Sequence, residues 1–208
     1  MRLFDEAWIN RWMMEAPERR AGCVRVMYFD PTLGRNARSE LSAIVVLDRQ
    51  PDGITWVRHC SMERRRPAKL VSDYLDLWEA WSPDAHAIED EGQQALLVPL
   101  FARVTEDRRL PPAAVPGLQS VGGVSKVTRI RSLSAEVEFG RLRFDGAGSH
   151  RPLRDQAAGY QGRPNERDDG LDALEGAVRL ANSQIAGDWD ITDNGPPSEF
   201  SGVLTMDF

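Results

Sequence analysis

Apolar positions along the chain follow two periods. Short runs that are continuous or alternate predict strands over residues 24–30, 41–47, 54–60, 85–88 and 141–144. Helical spacing recurs elsewhere. Leu3, Phe4, Ala7, Trp8, Trp12 and Met13 predict an amphipathic helix over 3–14, closed by Pro17. Leu70, Val71, Tyr74, Leu75, Trp78 and Trp81 predict another over 67–81, and residues 93–103 a third. Ser125 caps a helix whose apolar positions are Val127, Ile130, Leu133 and Val137 and which Phe139-Gly140 ends. Residues 152–160 and a last segment with Leu171, Leu174 and Val178 on one face complete the helices. Pro51-Asp52-Gly53 predicts a tight turn that pairs its flanking strands antiparallel. Residues 105–123, rich in proline and glycine, read as a long loop.

Against this pattern, three groups of acids stand out. Val24-Arg25-Val26-Met27-Tyr28-Phe29 is an apolar run that stops at Asp30-Pro31. Pro31 cannot extend a strand ladder, so Asp30 sits at a strand's carboxyl end, where α/β sheets open into a crevice. The strand 85–88 likewise ends in Glu89-Asp90-Glu91-Gly92. In the last helix Asp168, Asp169 and Asp172 share a face, because positions three and four apart are neighbours. Each group has an ordinary explanation: a turn, a strand end, acids favoured at a helix start. Together they have a chemical one. Carboxylates gathered at one place repel unless a cation neutralises them, and hard oxygen ligands select Mg²⁺ or Mn²⁺. Two such ions support phosphodiester hydrolysis without histidine or cysteine. Within each group the choice stays open: Asp90 or Glu91 can stand in for Glu89, and Asp168 or Asp172 for Asp169.

Composition narrows the class. At 208 residues, with 41% hydrophobic and 28% charged residues, the chain fits one well-buried soluble domain with a tail. We divide it into a leading helix or linker (1–20), a domain (21–181) and an acidic flexible tail (182–208). The amino terminus lacks the basic and apolar regions of a signal peptide, and no apolar run has membrane-spanning length. The net charge is −6, but the tail holds five acids and no Lys or Arg, which leaves a nearly neutral body. Arginines cluster on that body as Arg64-Arg65-Arg66 with Lys69, as Arg108-Arg109, and as Lys126, Arg129 and Arg131. Such patches are compatible with phosphate binding. Cys23 and Cys60 read as buried free thiols, and His59, His86 and His150 have no ligand-like spacing. Gly117 and Gly122 imitate the outer spacing of a phosphate-binding loop, yet Gly123 stands where its lysine belongs, so a Walker-type site is rejected.

The order of these parts resembles the carboxyl-terminal nuclease domain of tailed-phage large terminase subunits, a member of the RNase H-like superfamily. The resembling stretches are Tyr28-Phe29-Asp30-Pro31-Thr32 with Gly34, Ala87-Ile88-Glu89-Asp90-Glu91-Gly92-Gln93, Ser125-Lys126-Val127-Thr128-Arg129-Ile130, and Asp168-Asp169-Gly170-Leu171-Asp172-Ala173-Leu174. They span roughly residues 1–181. The resemblance implies an α/β fold with a mixed central sheet, antiparallel first strands and flanking helices. It implies a metal-dependent endonuclease that cuts concatemeric phage DNA with two Mg²⁺ or Mn²⁺ ions. Asp30, Glu89 and Asp169 take the catalytic positions, Asp168 and Asp172 are further metal ligands, and Lys126 and Arg129 meet DNA or brace a carboxylate. The implied partners are double-stranded DNA, a terminase ATPase domain, a small terminase subunit and a portal protein, in the host cytoplasm. Two features depart from the family pattern: no ATP-binding motor is present, and Arg167 replaces a histidine often found before the Asp-Asp pair. The competing readings are a branched-DNA resolvase on the same fold and a non-catalytic DNA-clamping or portal-docking module.

Overall fold

A computed structural model describes residues 2–31, 41–90, 97–120 and 123–186. Its strands are β1 (Met13–Met14), β2 (Val24–Asp30), β3 (Ser42–Arg49), β4 (Thr55–Glu63), β5 (Ala85–Asp90), β6 (Gly117–Ser120) and β7 (Leu142–Ser149). Its helices are α1 (Glu6–Arg11), α2 (Pro67–Trp81), α3 (Val98–Asp107), α4 (Lys126–Glu138), α5 (Arg151–Gly159) and α6 (Asp169–Ala186). The strands form one sheet in the order β1-β7-β4-β3-β2-β5-β6. As predicted, β2, β3 and β4 are antiparallel, with the Pro51-Asp52-Gly53 turn joining β3 to β4. The outer pairs β2–β5, β5–β6, β4–β7 and β1–β7 are parallel.

Helices cover both faces of the sheet, which is why β3 is buried along almost its whole length and reads as a continuous apolar run. One core lies between the sheet and α1, α4, α5 and α6, and includes Val26, Tyr28, Ala87, Ile130, Leu133, Leu171 and Leu174. The other lies beneath α2 and α3, and includes Met27, Phe29, Ile88, Leu70, Tyr74 and Phe101. The period of two in β2 divides its side chains between these cores.

Several expected boundaries move. The helix expected over 3–14 is only Glu6–Arg11, and Met13–Met14 pairs beside β7 instead. Arg143 lies over the rings of both Trp12 and Trp56, so Trp12 belongs to the sheet edge rather than to a helix face. The segment expected as a loop over 105–123 contains β6. This strand lies at the sheet edge with Leu118 exposed, so it never needed the apolar alternation that announces a strand. Helix α3 starts at Val98 and runs on to Asp107, later than the expected 93–103. Helix α6 reaches Ala186, beyond the expected start of the tail; residues 187–208 lie outside the described residues, as do the 32–40 loop and residues 91–96. Among the described residues no helix is long and apolar enough to cross a membrane.

Candidate metal centre

The sheet itself brings two acids together. Val26 and Tyr28 of β2, and Ala85 and Ala87 of β5, point to the α6 side, and the period of two sends Asp30 and Glu89 the same way. In the parallel β2–β5 ladder Phe29 stands opposite Ile88, so the residues that follow them are neighbours across strands about 4.8 Å apart. Phe29 and Ile88 are fully buried on the opposite face and fix the strands beneath this pair. Glu89 is only 4% exposed, and Asp30 is half-buried.

Helix α6 supplies the third acid. A side chain at Gly176 would run into the Tyr28 ring, so this glycine lets α6 lie against β2. Four residues back from Gly176, about 6 Å along the helix, is Asp172. Two residues forward from Tyr28, about 6.6 Å, is Asp30. The two steps run in the same direction and nearly match in length, so Asp172 comes to rest over Asp30. Ligand oxygens of Asp30, Glu89 and Asp172 all lie within 4.8 Å of one another.

The structure thus sets Asp172 where Asp169 was expected. Asp169 lies almost another turn back, past the end of β2, and its carboxylate accepts a hydrogen bond from the Leu41 N–H. It belongs to the start of the helix, as does Asp168, whose carbonyl accepts the Asp172 N–H at 2.8 Å. The helix start is held from outside as well: Gln156 of α5 accepts the N–H groups of Gly170 at 2.9 Å and Leu171 at 3.1 Å. A side chain at Gly170 would meet this same Gln156 and Met62 of β4, so the close approach requires glycine.

Two basic residues of α4 brace the third acid. Lys126 Nζ lies 2.9 Å from carboxylate oxygens of both Asp168 and Asp172. Arg129 lies 3.3 Å from the other Asp172 oxygen and also pairs with Glu175. Ser125 caps α4 as expected, accepting the Thr128 N–H, and so fixes where Lys126 and Arg129 project. Glu175 was missed in the sequence, although its place three residues after Asp172 puts it on the same face. Among the described residues the histidines lie elsewhere: His86, for example, bonds to Tyr74 and to the Ala113 carbonyl.

Ionisation follows the geometry. Burial pushes the Asp30 carboxyl well above its ordinary value of 3.8, and the charges of Glu89 and Asp172 push it further. The close approach of the Glu89 side chain raises Asp30 as well. Burial also raises Asp168, against the pull of Lys126, and Asp169, against the Leu41 N–H. Burial disfavours the charged Lys126, but Asp172 and Asp168 outweigh it and hold the ammonium above its usual range. A cluster of three carboxylates, two of them buried, supplies the donor chemistry of a hard divalent cation, and a cation there would offset their mutual repulsion. Asp90 ends β5 and Glu91 lies outside the described residues, so Glu89 is the acid of that group seen at the centre.

No protein-family model matches the sequence, and no curated protein matches it. Solved structures do share its fold. The large terminase of bacteriophage HK97 superposes with a TM-score of 0.61 at 13% identity, over 86% of this chain and 43% of that one. The nuclease domain of the P22 large terminase gives a TM-score of 0.57 at 18% identity, over 86% and 92%. The human cytomegalovirus terminase nuclease domain, soaked with manganese and bound to an inhibitor, gives 0.60 at 11% identity, over 87% and 95%. This chain therefore spans less than half of the HK97 protein and nearly all of the isolated nuclease domains. Its fold, a mixed sheet flanked by helices, is similar to that of these terminase nuclease domains.

Proposed function

We propose that this chain is the metal-dependent endonuclease domain of a viral DNA-packaging terminase, and that Asp30, Glu89 and Asp172 are its metal ligands. The observation that carries this reading is their convergence within 4.8 Å on one face of a terminase-nuclease fold. The manganese-soaked cytomegalovirus domain supports a divalent ion in this fold. Two Mg²⁺ or Mn²⁺ ions held by these acids would activate water and stabilise the leaving oxygen of a phosphodiester. The chain's own part is positioning. β2 and β5 fix Asp30 and Glu89 on rigid strand ends, and the Gly176–Tyr28 contact sets the depth of Asp172. Lys126 and Arg129 pair with the two oxygens of Asp172 and hold its side chain in place, which is the bracing alternative of the sequence reading rather than direct contact with DNA. On this reading the substrate is double-stranded DNA, and an ATPase motor, a small terminase subunit and a portal protein deliver it.

Nicking of supercoiled plasmid, measured with Mn²⁺, Mg²⁺ or EDTA, tests the proposal. The expected result is cleavage with Mn²⁺ or Mg²⁺, none with EDTA, and loss of cleavage in Asp30→Asn. A folded chain that neither binds Mn²⁺ by calorimetry nor nicks DNA overturns it.

A further inference from the structure

The end of the sheet away from the metal centre encloses a polar cavity of its own. Arg49, the last residue of β3, stands opposite Val24 of β2, six residues or about 20 Å before Asp30. Thr55 opens β4 opposite Arg49, and Leu142 opens β7 opposite Thr55. Helices α4 and α6 flank these strand ends and leave a cavity of about 400 Å³. Leu133, Leu142 and Val178 form its apolar wall.

The charges on the other walls do not balance. Arg141 pairs with Glu136 at 3.0 Å, and Arg179 with Glu175 at 3.5 Å. Both acids of the cavity are thereby engaged, and Arg129 holds Glu175 as well. Arg49 is the third guanidinium, and among the described residues no acid forms an ion pair with it. Its side chain donates to Thr55 Oγ1 at 2.7 Å, while its Nε is buried without a hydrogen-bond partner. Burial lowers the pKa of Arg49, and the charge of Glu136 offsets this only in part. A half-buried cation of this kind calls for an anion. The buried Thr55 hydroxyl, which accepts from Arg49, keeps its own hydrogen to donate.

We propose that this cavity is a binding site for a small phosphorylated ligand, whose phosphate group sits between Arg49, Arg141 and the Thr55 hydroxyl. Guanidinium forks suit this group because they meet phosphate oxygens in pairs. The volume falls in the range of small-molecule pockets, and the apolar wall offers a surface for the carbon skeleton of an organic phosphate. A cavity of this size between two helices does not admit a duplex. The site is therefore separate from the metal centre and does not depend on the nuclease reading.

The test is calorimetric titration in EDTA, so that no divalent ion bridges phosphate to the acids, with inorganic phosphate, thymidine 5′-monophosphate and thymidine as separate titrants. Both phosphates are expected to bind with Kd of about 1 mM or tighter, and thymidine not to bind. Tighter binding of the monophosphate assigns the site to an organic phosphate, and equal affinities assign it to the free anion. Arg49→Gln should weaken either phosphate about tenfold, as loss of one charge-assisted hydrogen bond does, and Arg49→Lys should recover part of it. Arg141→Ala, at the exposed rim, should weaken binding less, and it keeps the test valid if position 49 proves sensitive for folding. Phosphate should raise the melting temperature of the parent more than that of Arg49→Gln. A parent that binds neither phosphate up to about 10 mM, or an Arg49→Gln chain that binds as the parent does, overturns the site. Thymidine binding as tightly as its monophosphate overturns it equally. No readout here involves nicking or Mn²⁺, so failure of the site and failure of the nuclease reading are distinguishable.

Discussion

Two groups of buried acids lie at opposite ends of the sheet, and they are neutralised in opposite ways. At the end where β2 begins, Asp48 is fully buried and accepts Arg25 in a two-pronged pair at 2.6 and 2.7 Å. Arg58 lies 3.7 Å from Asp48 and 3.3 Å from Asp145, so two acids face two arginines. At the end where β2 stops, Asp30 and Glu89 face each other, with Asp172 as the third member. Their bases, Lys126 and Arg129, sit behind Asp172 and are shared with Asp168 and Glu175. Burying a charge is costly unless it is paired, and the first group meets its arginines directly, whereas the bases of the second pair with Asp172, Asp168 and Glu175. The first group is therefore complete as a structural element. In the second the acids converge on one point, where the proposal above places a divalent cation, and on that reading this separates a site from a brace among residues of the same type.

The contrast is sharpest in loss of activity. Asp30→Asn and Asp172→Asn should bring Mn²⁺-dependent nicking to background, while Asp169→Asn, which removes a charge outside the cluster, should retain most of it. Single-turnover plasmid cleavage distinguishes them, and equal losses at 169 and 172 would restore Asp169 to the centre. Next in size is the brace. Asp48→Asn leaves the half-buried Arg25 without its two-pronged carboxylate partner, while Arg58 keeps Asp145, and should cost about 3 kcal/mol in urea denaturation. Calorimetric Mn²⁺ affinity of the folded fraction should not change; a weaker site would mean that the two ends are coupled.

A smaller effect is expected behind the third acid. Lys126→Ala should lower cleavage or metal affinity about 10- to 100-fold, as loss of a ligand's supporting partner does. Lys126→Arg should recover part of it, and parent-like rates in the alanine variant would remove Lys126 from the site. The smallest effect is on stability against pH. Asp30 binds its proton more tightly folded than unfolded, so the metal-free domain should be most stable near and below pH 3.8, as far as this group is concerned, and lose that contribution as pH rises through the raised folded value. Melting curves should show this decline in EDTA, a flatter profile in Asp30→Asn, and recovery on adding Mn²⁺. A metal-free profile identical in parent and variant would show that Asp30 carries no such penalty.

Much of the fold was legible because burial on both faces of a sheet writes continuous apolar runs, as in β2 and β3, and because α2 repeats its apolar positions with a helical period. The turn at Pro51-Asp52-Gly53 announced the antiparallel pair it joins. The edge elements were not legible. β1 and β6 are short and border solvent, so their residues carry no periodic demand, and only pairing with β7 and β5 makes them strands.

The candidate site divides along the same line. The sequence by itself determined that Asp30 and Glu89 lie at the carboxyl ends of strands, because apolar runs stop at them, and that acids and bases line the starts of α6 and α4. It could not choose Asp172 over Asp169, since both lie in the first turn and both satisfy the helix dipole. That choice belongs to tertiary structure: Tyr28 fills the gap at Gly176, which fixes how far α6 slides along β2 and sets Asp172, one turn away, over Asp30. Likewise the sequence showed three adjacent arginines, but only packing against Asp73, Ser42 and Ser61 made Arg65 an anchor and left Arg64 and Arg66 facing solvent. Periodicity records what each element buries, and the distance between two elements is set by the side chains that meet between them.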